Sequence, residues 1–222
     1  MSLRRKLAAT AATALLLSTA CGGASDDSAD DPVPGVDEGE ETSPTPEDEA
    51  TPEPEAQHGS EIELPDDVEL VFDWDTPEDP DEAAALHGAS EYLRAIAADI
   101  VAQAPEGGVH QGYARDQAGD YARTQVRQWV DGGWTMYGTD HFYDATVERG
   151  EGESANMLVE FCNDTSQLPG KDVASGEVLP AEEQHDVSIY LYRVVMAEAP
   201  GVEGFWQASH VEVEGGAERC GA

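Results

Sequence analysis

The stretch Gln128-Trp129-Val130-Asp131-Gly132-Gly133-Trp134-Thr135-Met136-Tyr137 decides the fold class, because the spacing of the apolar residues changes within it. Before the two glycines, apolar residues recur every three or four positions, as on one face of a helix. After them, apolar and polar residues alternate, as in strands with one buried face. Paired glycines are also a common end of a helix. The chain is therefore predicted to form helices first and a sheet afterwards.

Two helices are predicted on the N-terminal side of this stretch. The first begins where Asp79 can act as the cap, Pro80 suits the first helical position and Glu82 completes a capping-box spacing. It ends before Pro105 and carries an apolar stripe formed by Leu86, Ala89, Leu93, Ile96 and Ile100. The second helix is predicted over residues 114–130. Both helices are expected to pack on one core.

The alternating segments predict a sheet, with strands at residues 134–137, 141–149, 154–162, 186–197 and 205–214. Residues 64–74 also alternate and are expected to form an edge strand. Residues 150–153 are predicted to form a hairpin turn, and residues 163–184 a long irregular loop. Helices followed by an antiparallel meander indicate an α+β fold.

The N-terminus has the pattern of an export signal. Three basic residues at positions 4–6 precede an apolar run at positions 7–17, which is about half the length that a membrane-spanning helix needs. Residues 1–20 are therefore predicted to be a signal peptide.

The end of this signal, Thr19-Ala20-Cys21, resembles a bacterial lipobox, although Ser18 stands where an aliphatic residue is usual. The resemblance implies that Cys21 is lipidated, with acyl chains such as palmitate, and becomes the new N-terminus. Two or more chains would anchor the protein at the outer face of the cytoplasmic membrane. Ordinary cleavage after Ala20, which would release a soluble protein, is the alternative.

Residues 21–60 are dominated by Asp, Glu, Pro, Ser, Thr, Gly and Ala. Such a segment cannot bury enough apolar surface to offset its ordering entropy, so a disordered acidic linker is predicted. Its expected role is to space the folded domain, residues 61–222, away from the membrane.

The charge of the chain excludes one class of partner. Asp and Glu total 47 against 11 Lys plus Arg, which gives a formal net charge of −36. Nucleic acid is therefore not expected as a partner. An acidic surface is not attracted to an anionic bilayer either, so attachment to a membrane would come from a lipid or from another protein.

The three cysteines indicate a secreted protein with few cross-links. Cys21 lies at the signal boundary, which leaves Cys162 and Cys220 to form a disulfide or to bind a metal. An exported protein favours the disulfide. The histidines sit singly, without the spacing of metal ligands, so no metal and no cofactor is predicted.

A wider resemblance rests on short motifs: Phe161-Cys162-Asn163-Asp164, Lys171, Ser175-Gly176, Tyr190, Tyr192, Gly204-Phe205-Trp206 and Arg219-Cys220, together with Leu64-Pro65 and Phe72. On these motifs the chain resembles a family of actinobacterial lipoproteins that has no assigned activity and looks like part of the nuclear-transport-factor-2-like superfamily. The resemblance implies helices that wrap a strongly curved antiparallel sheet into a cone with an apolar pocket. It also implies that Cys162 pairs with Cys220.

Some enzymes of that superfamily are isomerases and dehydratases that use a buried carboxylate or histidine with tyrosines. Polar side chains of this kind cluster here in two predicted strand regions, at Tyr137, Asp140, His141, Tyr143 and Asp144, and at His210 and Glu212. Alternation places His141 and Tyr143 with Ala145 and Val147 on one face, and Phe142, Asp144 and Thr146 on the other. These side chains therefore cannot all converge. We interpret them as surface residues and assign no catalytic residue.

The first functional interpretation is a non-catalytic module that binds a small molecule or an envelope protein. An isomerase or dehydratase with a conical apolar pocket is the alternative, and a structural module of the cell envelope is the third. An isolated buried Asp or His in the pocket would favour the enzyme. A pocket closed by bulky side chains would favour protein interaction, and an open apolar cavity would favour binding of a small ligand.

Overall fold

A computed structural model describes residues 62–150, 156–179 and 187–221. Within these residues helices precede most of the strands, which is the predicted α+β order. The predicted signal peptide, Cys21, the linker and positions 151–153 of the predicted hairpin turn lie outside the described residues.

The described residues contain three α-helices: α1 over Pro80–Val101, α2 over His110–Tyr113 and α3 over Asp116–Gly132. The predicted start of α1 is confirmed, because Asp79 Oδ1 accepts hydrogen bonds from the backbone N–H groups of Asp81 and Glu82 at 3.0 and 3.1 Å. The predicted end of α3 is confirmed as well, because Gly133 caps it with φ 73°. Helix α2 was not predicted, and α3 begins two residues later than expected.

The strands are β1 Val68–Asp73, β2 Trp134–Thr135, β3 Gly138–Arg149, β4 Met157–Asp164, β5 Lys171–Asp172, β6 Ile189–Glu198 and β7 Trp206–Gly215. Five of them form one sheet in the order β1-β3-β4-β6-β7. The pairs from β3 to β7 are antiparallel, but β1 lies parallel to β3. The prediction of an antiparallel sheet is therefore wrong at this edge. The chain returns from β1 to β3 through all three helices, and such a long crossover permits parallel pairing.

Strand β2 does not join this sheet. It was predicted as the first strand of the meander, but it pairs with β5 in a separate two-stranded sheet. Strand β5 lies inside residues 163–184, which were predicted to be an irregular loop. Gly138, the first residue of β3, adopts φ 96°, and its position leaves no room for a Cβ atom against the carbonyl oxygen of Gln167. This turn separates β2 from β3.

The main core lies between α1, α3 and one face of the five-stranded sheet. The predicted stripe of α1 is buried in it, and so is Trp206. Trp129 is partly buried against the core. By contrast, 40% of the surface of Trp134 is exposed.

A bulge in β3 changes which side chains face this core. The register of β3 against β4 shifts between Tyr143 and Thr146, and Asp144 adopts φ 55°. As a result Phe142, Ala145 and Val147 all pack in the main core, although alternation had placed Phe142 opposite the other two. The predicted division of faces is therefore wrong beyond Tyr143.

A second, smaller core contains Cys162, Leu191, Ala217 and Cys220, and Tyr143 packs against it. The Sγ atoms of Cys162 and Cys220 lie 2.01 Å apart and form a disulfide, which joins β4 to a C-terminal 3₁₀ helix over Glu218–Cys220. The Tyr143 hydroxyl donates a hydrogen bond to the Cys220 carbonyl at 2.9 Å. Since neighbouring residues of a strand point to opposite faces, Cys162 faces away from Phe161 and Asn163.

Candidate functional site

A cavity of about 380 Å³ lies between α1, α3 and the sheet. Its apolar wall includes Leu70, Leu93, Ile96, Ala97, Ile100, Met136, Leu168 and Val213. Its aromatic side chains are Tyr121, Trp129, Tyr190 and Tyr192, and its other polar side chains are Gln125, Gln128, Asp140, Asn163 and Thr165. A mostly apolar cavity with a few polar groups is typical of a site for a small molecule.

Asp140 is the acidic side chain of this lining, and only 9% of the residue is exposed. The Asn163 side-chain amide donates a hydrogen bond to Asp140 Oδ1 at 2.5 Å. Burial raises the pKa of the Asp140 carboxyl to about 7, the hydrogen bond from Asn163 opposes the rise, and the charge of Asp164 adds to it. The interpretation of Asp140 as a surface residue is therefore wrong.

The sheet register explains why Asp140 and Asn163 meet. Asp140 lies beside Leu70 of the edge strand and two positions before Phe142, so it faces the same side as that buried ring. Asn163 is paired directly with Phe142 across β3 and β4. The Asn163 amide also donates to the His141 carbonyl at 3.3 Å, which holds the amide against β3.

Two tyrosines bring hydroxyl groups to the same cavity from different elements. Tyr121 of α3 donates a hydrogen bond to the hydroxyl oxygen of Tyr192 of β6 at 3.4 Å. Burial raises the pKa of both hydroxyls, and the negative charge of Asp140 raises them further. Both groups are therefore neutral at ordinary pH, and while Tyr121 is the donor of this bond the hydroxyl hydrogen of Tyr192 is free for a ligand.

The third tyrosine of the cavity has a different role. The Tyr190 hydroxyl donates to the Val187 carbonyl at 2.7 Å, so its hydrogen is already used. Tyr190 therefore contributes only its ring to the cavity wall. Tyr192 retains a hydroxyl hydrogen that can be donated to a ligand.

The other polar residues singled out from the sequence lie outside the cavity lining. The imidazole of His141 is 39% exposed and lies 3.8 Å from Asp73, and Tyr143 packs on the opposite face of the sheet. Asp144 is exposed in the bulge.

The side chains of His210 and Glu212 are 49% and 65% exposed and lie 3.5 Å apart. Tyr137 contacts the Lys171 ammonium group, whose Nζ lies 5.2 Å from the ring centre. The surface interpretation is confirmed for His141, Asp144, His210 and Glu212.

A second buried polar pair, Asp99 and His110, was missed entirely. Both side chains are 1% exposed, and His110 Nδ1 lies 2.5 Å from Asp99 Oδ2. The same carboxylate accepts backbone hydrogen bonds from Val109 at 2.7 Å and from His110 at 2.9 Å. His110 Nε2 is buried and has no hydrogen-bond partner among the described residues. Neither residue lines the cavity, so this pair belongs to the junction between α1 and α2.

The sequence contains a signal for each of these missed groups. Asp140 alternates with Phe142 and so shares its buried face, and Asp99 lies three residues after Ile96, which places it near the apolar stripe of α1. An acidic residue on an apolar face is a stronger indication than a cluster of polar residues that are adjacent in sequence.

Neither a metal-binding cluster nor a membrane-spanning helix is found in the described part of the chain. There, no three His, Cys, Asp or Glu side chains are grouped so that they could hold a metal ion. None of the helices in residues 62–150, 156–179 and 187–221 combines the length and apolarity that crossing a membrane requires.

Comparison of the chain with protein-family models, with curated proteins and with solved structures finds no match. Any function of the cavity is therefore inferred from its own side chains. These combine one buried carboxylate, which gains or loses a proton near neutral pH, with tyrosine hydroxyls that stay protonated.

Proposed function

We propose that the cavity is the active site of an acid–base enzyme of the isomerase or dehydratase kind. The observation that carries this proposal is the Asp140 carboxyl, which is buried in an apolar cavity with a pKa of about 7. A general acid–base group works best when its pKa lies near the working pH, because it can then both accept and return a proton.

In the proposed reaction the ionised Asp140 removes a proton from a carbon atom next to a carbonyl group of the substrate. The electron pair of that C–H bond moves toward the carbonyl oxygen, where negative charge develops. Tyr192 donates its hydroxyl hydrogen to this oxygen, and the hydrogen bond from Tyr121 strengthens Tyr192 as a donor. Asp140 then returns the proton to another carbon atom, as an isomerase requires, or to a departing hydroxyl group, as a dehydratase requires.

Non-catalytic binding, which the sequence had favoured, explains the apolar wall, but for a neutral ligand it does not explain the carboxylate. Holding Asp140 ionised in this cavity costs about 4 kcal/mol relative to water, from the difference between its ordinary pKa and a value of about 7. An apolar or amide side chain at position 140 would enclose a neutral ligand without that cost. A structural role in the envelope would explain neither the apolar cavity nor the buried carboxylate.

Conversion of cyclohex-3-en-1-one to cyclohex-2-en-1-one tests the proposal without knowledge of the natural substrate. This ketone is small enough for the cavity, and its conversion needs only a base and a hydrogen-bond donor at the oxygen. We expect a rate at least about 100-fold above that of an equal concentration of acetate. The rate should rise with pH through about 7 and level off above it, because the ionised carboxyl is the base. Conjugated enone formation is followed by ultraviolet absorbance.

Three variants assign the activity to the cavity. Asp140→Asn should lower the rate about 100-fold or more, and Tyr192→Phe should lower it by a similar factor with an unchanged pH midpoint. Tyr190→Phe removes a hydroxyl that is already bonded to Val187 and should leave the rate within a factor of two or three, roughly. A rate that is independent of residue 140 would contradict an acid–base site.

The location of the protein is a separate proposal. We propose that Cys21 carries a lipid anchor at the outer face of the cytoplasmic membrane, with the acidic linker between the anchor and the domain. The sequence after the signal supports this, as does the Cys162–Cys220 disulfide, which suits an oxidising compartment. Helices covering one face of a sheet around a cavity also support the resemblance to the nuclear-transport-factor-2-like superfamily.

Replacement of the lipidated residue tests the anchor. Full-length protein is expected in the membrane fraction, and the Cys21→Ser variant in the soluble fraction or retained as an uncleaved precursor. Ser18→Leu, which restores the usual aliphatic residue of the lipobox, should keep the membrane location. A Cys21→Ser protein that is cleaved and still partitions with the membrane would rule out lipidation at this residue.

A further inference from the structure

The charges around the cavity differ from those expected for an anionic substrate. Among the described residues that line it, none is a lysine, an arginine or a histidine, and the carboxyl of Asp140 has an amide, not a cation, as its hydrogen-bond partner. The chain as a whole carries a formal charge of −36. An anion would meet repulsion from Asp140 at short range and from the protein surface at longer range.

The aromatic part of the lining favours the opposite charge. Tyr121, Trp129, Tyr190 and Tyr192 all line the same cavity as Asp140. Aromatic rings attract cations through their quadrupole, and groups of Trp and Tyr around a carboxylate are suited to ammonium ions. The hydroxyl oxygens of the tyrosines add hydrogen-bond acceptors for a protonated amine.

We infer that the cavity selects an organic cation, an amine or a quaternary ammonium compound with an apolar substituent, and that Asp140 is its counter-ion. The ammonium group would lie beside Asp140 and the aromatic rings, and the apolar substituent would fill the wall around Leu93, Ile96 and Met136. This inference rests on the proposed function, since it names the class of substrate for the same cavity.

A bound cation is compatible with the proposed chemistry. Positive charge beside Asp140 lowers the pKa of its carboxyl, so in the complex the carboxyl is ionised at neutral pH and can accept a proton from the substrate, although as a weaker base than in the empty cavity. Among the described residues, the other titratable groups that interact with Asp140 are Asp164, Tyr121 and Tyr192, and none of them supplies positive charge. The ligand is therefore the group that would complete the charge balance of the cavity.

Three probes of similar shape and different charge test the inference: choline, its neutral analogue 3,3-dimethylbutan-1-ol, and the anion 3,3-dimethylbutanoate. Calorimetric titration at pH 7.5 should show choline binding at least tenfold more tightly than the neutral alcohol, and no binding of the anion. Equal or tighter binding of the neutral alcohol would overturn the inference.

Two further measurements test whether the preference for choline over the neutral alcohol depends on Asp140. Asp140→Asn should bind choline and the neutral alcohol equally, and its retained affinity for the alcohol shows that the cavity is intact. At pH 7, choline binding should release about half a proton per site, measured in buffers of different ionisation enthalpy, because Asp140 is half protonated there before binding. A preference for choline that survives in Asp140→Asn would contradict the role of this carboxylate.

Phosphocholine distinguishes a free cation from a lipid headgroup. It carries the same ammonium group together with a phosphate, so we expect it to bind at least tenfold more weakly than choline. Equally tight binding would contradict the assignment of a free cation.

The inference and the proposed function can fail separately. Selective choline binding through Asp140 without enone isomerisation would leave the inference standing and contradict the enzyme. Asp140-dependent isomerisation with preferential binding of the neutral alcohol would leave the enzyme standing and contradict the cation.

Discussion

At the scale of single residues, burial in the fold disfavours the ionised carboxyl of Asp140, which is the form that the proposed chemistry needs. Its carboxyl has an ordinary pKa near 3.9 in an unfolded chain and a pKa of about 7 in the folded protein. Burial favours the protonated form, and the single amide of Asn163 does not compensate for the lost water. Asp140 therefore lowers the stability of the fold at neutral pH and above, where its carboxyl is ionised and can act as a base.

The pH dependence of stability follows from these two pKa values. Below about pH 4 the carboxyl is protonated in both states, so its contribution to stability is complete. From about pH 4 to 7 the folded protein retains a proton that the unfolded chain has lost, so the unfolding free energy falls by about 1.4 kcal/mol per pH unit. Above pH 7 the loss stays constant at about 4 kcal/mol.

Asp140→Asn should remove this dependence, because an amide does not titrate. We expect the variant to be more stable than the parent at pH 8, by up to about 4 kcal/mol in urea unfolding, with the advantage shrinking toward pH 4. Asp144→Asn is the matched control, since it changes an exposed carboxylate of the same strand. Parallel pH profiles for Asp140→Asn and the parent would mean that Asp140 is not desolvated.

At the scale of elements, the junction between α1 and α2 is built around the Asp99 carboxylate. Its two oxygens accept hydrogen bonds from the backbone of Val109 and His110, and the His110 ring adds a third contact. The loop reaches the carboxylate only because residue 108 is glycine: a Cβ atom there would lie 2.4 Å from Asp99 Cγ.

Two alanine substitutions four residues apart test this junction. Gly108→Ala should destabilise the protein by about 2 kcal/mol or more, because the new methyl group displaces the carboxylate from its backbone donors. Gly112→Ala places its methyl group where nothing lies within 4 Å and should be neutral or slightly stabilising. Thermal or urea unfolding measures both. Equal stabilities of the two variants would show that the loop adapts without using Asp99.

The elements also show which features the sequence could predict. Local signals were sufficient where one residue determines the backbone, as at the Asp79 cap and the Gly133 end of α3. Local signals did not predict the bulge at Asp144, because the alternating pattern contains no sign of a residue with φ 55°. The bulge changes which side chains of β3 face the main core. The parallel pairing of β1 was missed for a related reason, because strand direction depends on the path of the chain through three helices.

At the scale of the whole molecule, the sheet separates two regions with different roles. One face carries the helices, the main core and the cavity, whereas the other carries the small core around Cys162 and Cys220. The order of helices and strands was predictable from the sequence. The cavity was not, because Asp140, Asn163, Tyr121 and Tyr192 come from four elements, and only the register of β3, β4 and β6 brings them together.

Removal of the disulfide should weaken the whole molecule while sparing the cavity. The bridge closes a loop with a sequence separation of 58 residues, and the chain-entropy estimate for such a loop is about 4 kcal/mol. The Cys162→Ala and Cys220→Ala double variant should therefore lose roughly that amount of unfolding free energy in urea. Under conditions where it remains folded, its affinity for 3,3-dimethylbutan-1-ol should be unchanged, because Cys162 faces away from the cavity that Asn163 faces.

Reduction of the parent protein distinguishes the bridge from the packing of the two side chains. A reductant should lower the stability of the parent toward that of the double variant and should leave the double variant unaffected. The same loss in both proteins would show that another effect of the reductant is being measured. If the double variant matched the oxidised parent, the C-terminal 3₁₀ helix would be held by its other contacts, such as the Tyr143 hydrogen bond to the Cys220 carbonyl. Because that bond needs only backbone at position 220, it survives both substitutions, and Tyr143→Phe in the double variant would then release the segment.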